Sequence, residues 1–281
     1  MKLSLAIAGA NALPSAFVVF RGFEESIRKA AELGYDGVEL ALKRADEVGR
    51  AELAGWLKET GIEVSCISTG QVYADTGLMF TEPDAAKRAE VEAGFRTIVD
   101  LAADFGRLVN VGRVRGQIGN APREEAEGRF IDMARSLCDY AAGQNVTLVL
   151  EPVNRYEIDF INSVEEGVEL MKKVDRPNMK LMPDVFHMNI EDATIGGELA
   201  KHIAHVAYVH LADSNRLAPG QGHTDFEDIL ANLNRAGYDG WVSVEILPKP
   251  DPDTAARQAI EFLRPLIDKY SASRAAAGRG S

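Results

Sequence analysis

AELGYDGVEL (residues 31–40) and NRAGYDGWVSVE (234–245) share one grammar: the polar end of a helical stretch, a glycine, Tyr-Asp, a second glycine, then a short apolar run. Gly34 ends the helical pattern of Phe23 to Leu33, because a glycine just past the last periodic residue takes the left-handed backbone that closes a helix. The next strand follows within a few residues. Such a return from helix to strand, met twice some 200 residues apart, is what the floor of a β/α barrel requires.

Short runs of the same kind recur along the chain. They are LSLAIA (3–8), GVEL (37–40), VSCIS (64–68), LVNV (108–111), TLVLE (147–151), KLMPD (180–184), VAYVH (206–210) and WVSVE (241–245). Each is rich in Val, Ile and Leu without alternation, the pattern of strands covered on both faces in a parallel sheet. Helical patterns separate them at Phe23 to Leu33, Asp84 to Phe105, Glu124 to Gly143, Val164 to Val174, Phe226 to Ala236 and Thr254 to Tyr270. Eight strands with helices between them, in a chain near the roughly 250-residue norm, predict an α/β fold, a single-domain (β/α)8 TIM barrel. A doubly wound open sheet is the alternative, but no GxGxxG follows a strand. The barrel is expected to occupy residues 1–270, and the small, polar, basic tail SASRAAAGRGS (271–281) to be disordered.

The 281 residues are 46% hydrophobic and 26% charged, with a formal net charge of −12. A field of that sign argues against nucleic acid or an anionic membrane as a partner. Cys66 and Cys138 are too few for a disulfide framework or a Cys-rich zinc site and read as reduced thiols of a cytoplasmic protein. MKLSLAIAGANALPSA imitates a secretory signal, but its apolar stretch is short for one and reads as the first barrel strand. No run approaches the roughly 20 apolar residues of a membrane span.

In such a barrel the active site lies at the C-terminal ends of the strands. Strands five to eight end on Glu151, Asp184, His210 and Glu245. Alone, each carboxylate reads as a helix cap or salt-bridge partner and the histidine as a hydrogen-bonded side chain. Together, three carboxylates and an imidazole at one mouth repel unless a divalent cation sits among them. Oxygen and nitrogen ligands without thiolate suit manganese, cobalt, magnesium or zinc at a non-structural site.

Polar segments follow these residues. His187 lies three residues past Asp184, where a helix start returns it to the same side to meet a substrate hydroxyl. Glu157 and Arg216 lie on mouth loops. Arg113, Arg115, Arg155 and Arg216 are more fixed cations than a neutral sugar requires, and a guanidinium pairs a carboxylate bidentately. A keto sugar acid is therefore one expectation, a sugar phosphate meeting backbone N–H groups at Gly220 and Gly222 another, and pairing of some arginines with the site's own carboxylates a third. With one proline, Pro219, the loop behind His210 is expected to owe its stiffness to contacts across the mouth.

EPVNRYEIDFIN (151–162), PDVFHMNIE (183–191) and VHLADSNRLAPGQGHTDF (209–226) resemble signature segments of the metal-dependent, xylose-isomerase-like TIM-barrel sugar isomerases and epimerases, above all the ketose 3-epimerase branch that includes D-tagatose 3-epimerase. The likeness runs from the first strand to the last helix. With STGQVYADTGLMFTEP (68–83) and VGRVRG (111–116), the chain looks most like the 5-keto-L-gluconate epimerases within that branch. The resemblance implies that Glu151, Asp184, His210 and Glu245 hold one divalent ion, usually manganese or cobalt, and that Glu151 and Glu245 are also the acid/base pair. It implies that Glu157, His187 and Arg216 contact substrate or orient the ligands. It also implies a homodimer or homotetramer. Chemically, one glutamate removes a proton beside a ketone, a metal-stabilised cis-enediolate forms, and the other glutamate returns a proton from the opposite face. Hydroxypyruvate isomerases share the scaffold but match NRYE and VFHMN less well. A DNA-repair endonuclease needs more histidines than the 5 present, and a non-catalytic sugar binder has no use for both glutamates.

Overall fold

Strands apolar on both faces need cover on both, and the chain provides it by closing the sheet on itself and packing helices around it. The architecture is taken from a computed structural model that describes residues 1–277. Its strands are β1 (Lys2–Ala8), β2 (Phe20–Arg21), β3 (Gly37–Ala41), β4 (Glu63–Ser68), β5 (Leu108–Val111), β6 (Thr147–Leu150), β7 (Met179–Leu181), β8 (Tyr208–Leu211) and β9 (Trp241–Val244). The pairing order is β7-β6-β5-β4-β3-β1-β9-β8. Parallel bridges Leu181–Val206 and Asp184–His210 bring the two ends of that path together. The result is the expected single-domain (β/α)8 TIM barrel; short β2, absent from the sequence reading, pairs with β1 outside the ring.

The paired GYDG segments behave as turns. Gly34 and Gly237 both adopt positive φ, 92° and 84°. Tyr35 then donates its hydroxyl to the Ala256 carbonyl at 2.8 Å, tying the turn after the first helix to the last helix, and Asp36 accepts the Leu3 N–H at 2.7 Å. In the second copy Tyr238 donates instead to the nearby Trp241 carbonyl at 2.7 Å. The common motif supplies the turn, while each tyrosine finds its own partner.

Helix starts follow ordinary capping chemistry. Asp84 accepts from the N–H groups of Ala86 and Lys87, Ser163 from Glu166 and Asp225 from Asp228. The structure adds helices over Arg50–Thr60, Gly70–Thr76, Val185–Glu191 and Ile195–Lys201. Three have 7 residues, too short to show a 3.6-residue stripe, and Arg50–Thr60 buries only Leu53. The last helix runs from Pro252 to Ala277, past the point where the tail was expected to lose order; residues 278–281 lie outside the described region. Among the described residues no helix is long and apolar enough to cross a membrane.

Helices and outward strand faces share one large apolar core, including an edge-to-face contact between Phe80 and Phe95 with ring centroids 5.2 Å apart. The barrel interior is different: Ser4, Glu39, Ser65, Asn110, Tyr208, His210 and Ser243 are all buried there or at the strand ends. Buried polar groups require partners. Those partners lead to the site.

Candidate metal and acid-base site

Strands β6 and β9 stop just before Glu151 and Glu245, β7 ends at Leu181, three residues before Asp184, and His210 lies within β8. The β7 stop has a local cause, because Pro183 has no N–H with which to extend a ladder. One ligand-type atom from each of Glu151, Asp184, His210 and Glu245 lies within 4.8 Å of the others. His210 Nδ1 is 3.4 Å from Glu151 Oε1, 3.8 Å from Glu245 Oε2 and 4.0 Å from Asp184 Oδ2. Donors bound at about 2.0–2.2 Å to one ion stand roughly 3–4 Å from their neighbours, so the spacing fits.

Two of these atoms, Asp184 Oδ2 and His210 Nδ1, are buried and have no hydrogen-bond partner. His210 Nδ1 has no donor or acceptor to satisfy it and Asp184 Oδ2 has only the Arg216 guanidinium, 3.2 Å away; a cation would satisfy both. Asp184 shows that the cap and ligand readings need not compete. Its Oδ1 accepts the Phe186 N–H at 2.8 Å, starting helix Val185–Glu191, and Oδ2 stays turned to the site.

The glutamates differ in charge. Burial pushes both carboxyls up, but contacts from His210, a 3.0 Å hydrogen bond from Asn110 Nδ2 and the charge of Arg216 bring Glu151 below its ordinary value. At Glu245 burial prevails; repulsion from Glu151 and Asp184 adds to it, outweighing His210 and Arg216, and the carboxyl is pushed up to about 8. Without a cation, the pair at neutral pH is one carboxylate and one carboxylic acid.

Arg216 is fully enclosed by the site. Its guanidinium contacts Glu245, Asp184 Oδ2 at 3.2 Å and His187 Nε2 at 3.3 Å, and lies 4.4 Å and 4.6 Å from the ring centroids of Phe17 and Phe186. The loop holding it is built mostly from within, contrary to expectation. Asp213 accepts the N–H groups of Ser214, Gly220 and Thr224 at 2.7, 2.8 and 3.1 Å. A Cβ on Gly222 would sit 2.3 Å from Asp213 Oδ1, which reserves that position for glycine. Across the mouth, Leu247 N–H adds a 2.8 Å bond to the Arg216 carbonyl.

His187 lies beside Arg216 with Nδ1 2.7 Å from Asn154 Nδ2, and burial lowers its pKa to about 3, keeping it neutral. Asn154 also donates to Glu157 Oε1 at 3.1 Å. A hollow of about 60 Å³ around Glu151, Glu245, His187 and Arg216 adjoins an outer one of about 260 Å³, and both are lined by Phe17, Arg113 and Glu157.

Two arginines expected to touch substrate are engaged elsewhere. Arg115 is 0% exposed and donates to the carbonyls of Phe160 and Ile161, each at 2.8 Å, and to those of Gly112 and Glu151. A guanidinium surrounded by carbonyls ties three backbone segments together beneath Glu151 and cannot reach a ligand. Arg155 forms a bidentate pair with Glu191, its nitrogens 2.6–3.0 Å from the carboxylate oxygens, on the surface beside the mouth. Arg113 does line the cleft; its guanidinium carbon is 5.5 Å from the Tyr73 ring centroid, and its buried Nε has no hydrogen-bond partner.

Glu39, Asn110, Asn154 and Phe17 belong to the site's surroundings but were not singled out from the sequence. Glu39 and Asn110 carried a usable signal, a lone polar residue within GVEL and LVNV, strands whose every other residue is apolar or glycine. Gly112 carried none. A Cβ there would lie 2.9 Å from Glu151 Oε2 and 2.7 Å from Asn110 Oδ1, a constraint visible only in three dimensions.

Residues 27–266 match the family described as xylose isomerase-like TIM barrel. An L-ribulose 3-epimerase from Methylomonas sp. (strain DH-1) is 29% identical over 269 residues, covering 86% of this chain and 91% of the relative. A 3-dehydro-D-guloside 4-epimerase from Escherichia coli (strain K12) is 28% identical over 253 residues, covering 85% and 93%. The crystal structure of D-allulose 3-epimerase from Methylomonas sp. in complex with D-allulose superposes with a TM-score of 0.78 at 26% identity, covering 94% of this chain and 97% of the other.

Proposed function

Because the chain belongs to the xylose isomerase-like TIM barrel family, we propose that it is a divalent-metal-dependent carbohydrate epimerase whose acid/base pair is Glu151 and Glu245 and whose substrate is a keto sugar acid of the 5-keto-L-gluconate or D-tagaturonate type. What carries this reading is the pair itself: two carboxyls just past the ends of β6 and β9, Glu151 buried and Glu245 partly exposed, beside one small hollow and within one four-residue ligand cluster. Epimerisation needs a base on one face of a carbon and an acid on the other. Two carboxyls at the ends of different strands can supply the two roles, each taking or giving a proton according to the direction of reaction.

Glu151, Asp184, His210 and Glu245 would hold the ion; their oxygen and nitrogen donors suit manganese, cobalt, magnesium or zinc, and the resemblance to the ketose 3-epimerases favours manganese or cobalt. When bound, the ion supplies Lewis-acid polarisation of the substrate carbonyl, which makes the neighbouring C–H acidic. Glu151 would take the proton at that carbon, leaving a planar cis-enediolate, and Glu245, having taken up a proton from solvent, would give it to the opposite face. In the reverse direction the roles exchange. Neutral His187 and cationic Arg216 would hydrogen-bond substrate oxygens; their contact with each other beside Glu151 and Glu245 supports that role. Phe17 and Phe186 cover the guanidinium and keep water from it.

Arg113 supports the acidic substrate. Of the four mouth arginines it is the one without an ion pair to a protein carboxylate or a cage of carbonyls among the described contacts, and it faces the junction of the two hollows. A charge-assisted pair contributes roughly 1.5–3 kcal/mol. Arg113→Leu is therefore expected to reduce kcat/KM for 5-keto-L-gluconate or D-tagaturonate roughly 10- to 100-fold and to leave D-tagatose and D-fructose turnover nearly unchanged. Steady-state kinetics on these four sugars tests it. Equal losses on all four, or a wild-type preference for neutral ketoses, sinks the acid substrate and favours a ketose 3-epimerase acting on neutral sugars.

A further inference from the structure

We propose that Glu39, on β3, is a positioning residue for the metal site, accepting a hydrogen bond from His210 Nε2 so that the Nδ1 lone pair is the one presented to the cation. The inference rests on the metal-site reading above and concerns how that site is set up from inside the barrel.

An imidazole has two nitrogens, and a ligand histidine must offer the correct one unprotonated. His210 Nε2 lies 2.9 Å and 3.1 Å from the two Glu39 oxygens, while Nδ1 faces Glu151, Asp184 and Glu245 with no hydrogen-bond partner. A carboxylate only accepts, so this contact requires the proton on Nε2. Nδ1 is then the ligand.

Glu39 is held in turn. It is 0% exposed, and its Oε2 accepts the Tyr208 hydroxyl proton at 3.0 Å. The Tyr208 oxygen lies 2.9 Å from Ser4 Oγ and 2.6 Å from Ser65 Oγ. Four strands, β1, β3, β4 and β8, thus converge on one relay that ends at a ligand nitrogen. A buried carboxylate in an apolar strand is expensive unless satisfied throughout. Here the two oxygens have donors, and the product of that arrangement is a fixed ring orientation and a fixed tautomer. Hydrogen-bonded groups behind metal ligands typically affect affinity 10- to 100-fold.

The test is made on the full-length chain with Mn²⁺ and Zn²⁺ as probes. Mn²⁺ dissociation constants are measured by titration calorimetry for wild type, Glu39→Leu and Glu39→Gln. The leucine variant lacks the acceptor and is expected to bind 10- to 100-fold more weakly; glutamine keeps an amide oxygen for Nε2–H and is expected to recover most of the affinity. Equal affinity in wild type and Glu39→Leu overturns the role. So does equal weakening in both folded variants, because a preserved acceptor would then make no difference.

A second measurement needs no substitution. In the Zn²⁺-loaded wild-type protein labelled with ¹⁵N-histidine, His210 is expected to show a protonated Nε2 and a metal-bound Nδ1. A metal-bound Nε2 overturns the proposal even if both variants fail to fold. Absence of any Mn²⁺ or Zn²⁺ binding by wild type overturns the metal-site reading itself, a different result from normal binding that ignores Glu39.

Discussion

Glu245→Gln is expected to lose turnover by a factor of about 10²–10⁴ in kcat, the range for removing a general acid or base. The substitution keeps the size of the side chain and an oxygen for the cation or Arg216, but the amide cannot give up or accept the catalytic proton. Because Glu245 contacts Arg216 and belongs to the ligand cluster, weaker metal binding is also expected, so kcat must be measured at saturating Mn²⁺. Substrate binding, read by calorimetry on the Mn²⁺-loaded variant, should persist. Turnover at the wild-type rate removes Glu245 from the chemistry, and retained binding with lost turnover separates an enzyme from a sugar-binding protein.

Divalent cation binding at pH 7 is expected to release protons, and chelation to abolish turnover until Mn²⁺ is restored. The sign follows from the cation-free site. Burial lowers the His210 pKa, but the carboxylates of Glu39, Glu245 and Glu151 outweigh it and hold the imidazole well above its usual 6.5. Glu245 is raised by burial to about 8. Both groups favour a proton at pH 7, and both must give up protons to act as ligands. Apparent affinity should therefore rise with pH while these two groups still hold protons, the Glu245 share of the rise ending above about 8. Calorimetry in buffers of different ionisation enthalpy measures the protons; zero release or net uptake contradicts the charge state deduced for the site.

The same shift has a consequence for the metal-free protein. With Glu245 raised from 4.5 to about 8, the native state holds a proton that the unfolded chain has lost between those values. Stability attributable to this group is thus present below about 4.5 and declines as pH rises toward 8. Bound metal removes the decline by favouring the ionised carboxylate.

The fold was legible because its parts repeat: a doubly buried strand, a helix and a glycine-marked return are local patterns, and eight strand patterns in sequence leave few topologies. The four ligand-type residues were legible for a related reason, since each stands at or next to the end of an apolar run. Arg115 and Arg155 have partners that charge type and loop position do not disclose. One guanidinium turns inward to the carbonyls of Phe160 and Ile161, the other outward to Glu191. Glu39 lay in plain view inside GVEL, yet its meaning depends on Tyr208 and His210, some 170 residues away. The loop from 213 to 224 makes the converse point: Asp213 gathers N–H groups from its own neighbours, so stiffness attributed to distant contacts was encoded nearby.

Glu151 and Glu245 are assigned the inversion of one carbon, a proton leaving one face and another returning to the opposite face. Mn²⁺-loaded protein incubated in deuterated water with 5-keto-L-gluconate, D-tagaturonate, D-tagatose and D-fructose tests it by NMR of the products. The expected result is one deuterium in the epimer, at the inverted carbon and nowhere else. Inversion that retains the original protium at that carbon would contradict the account.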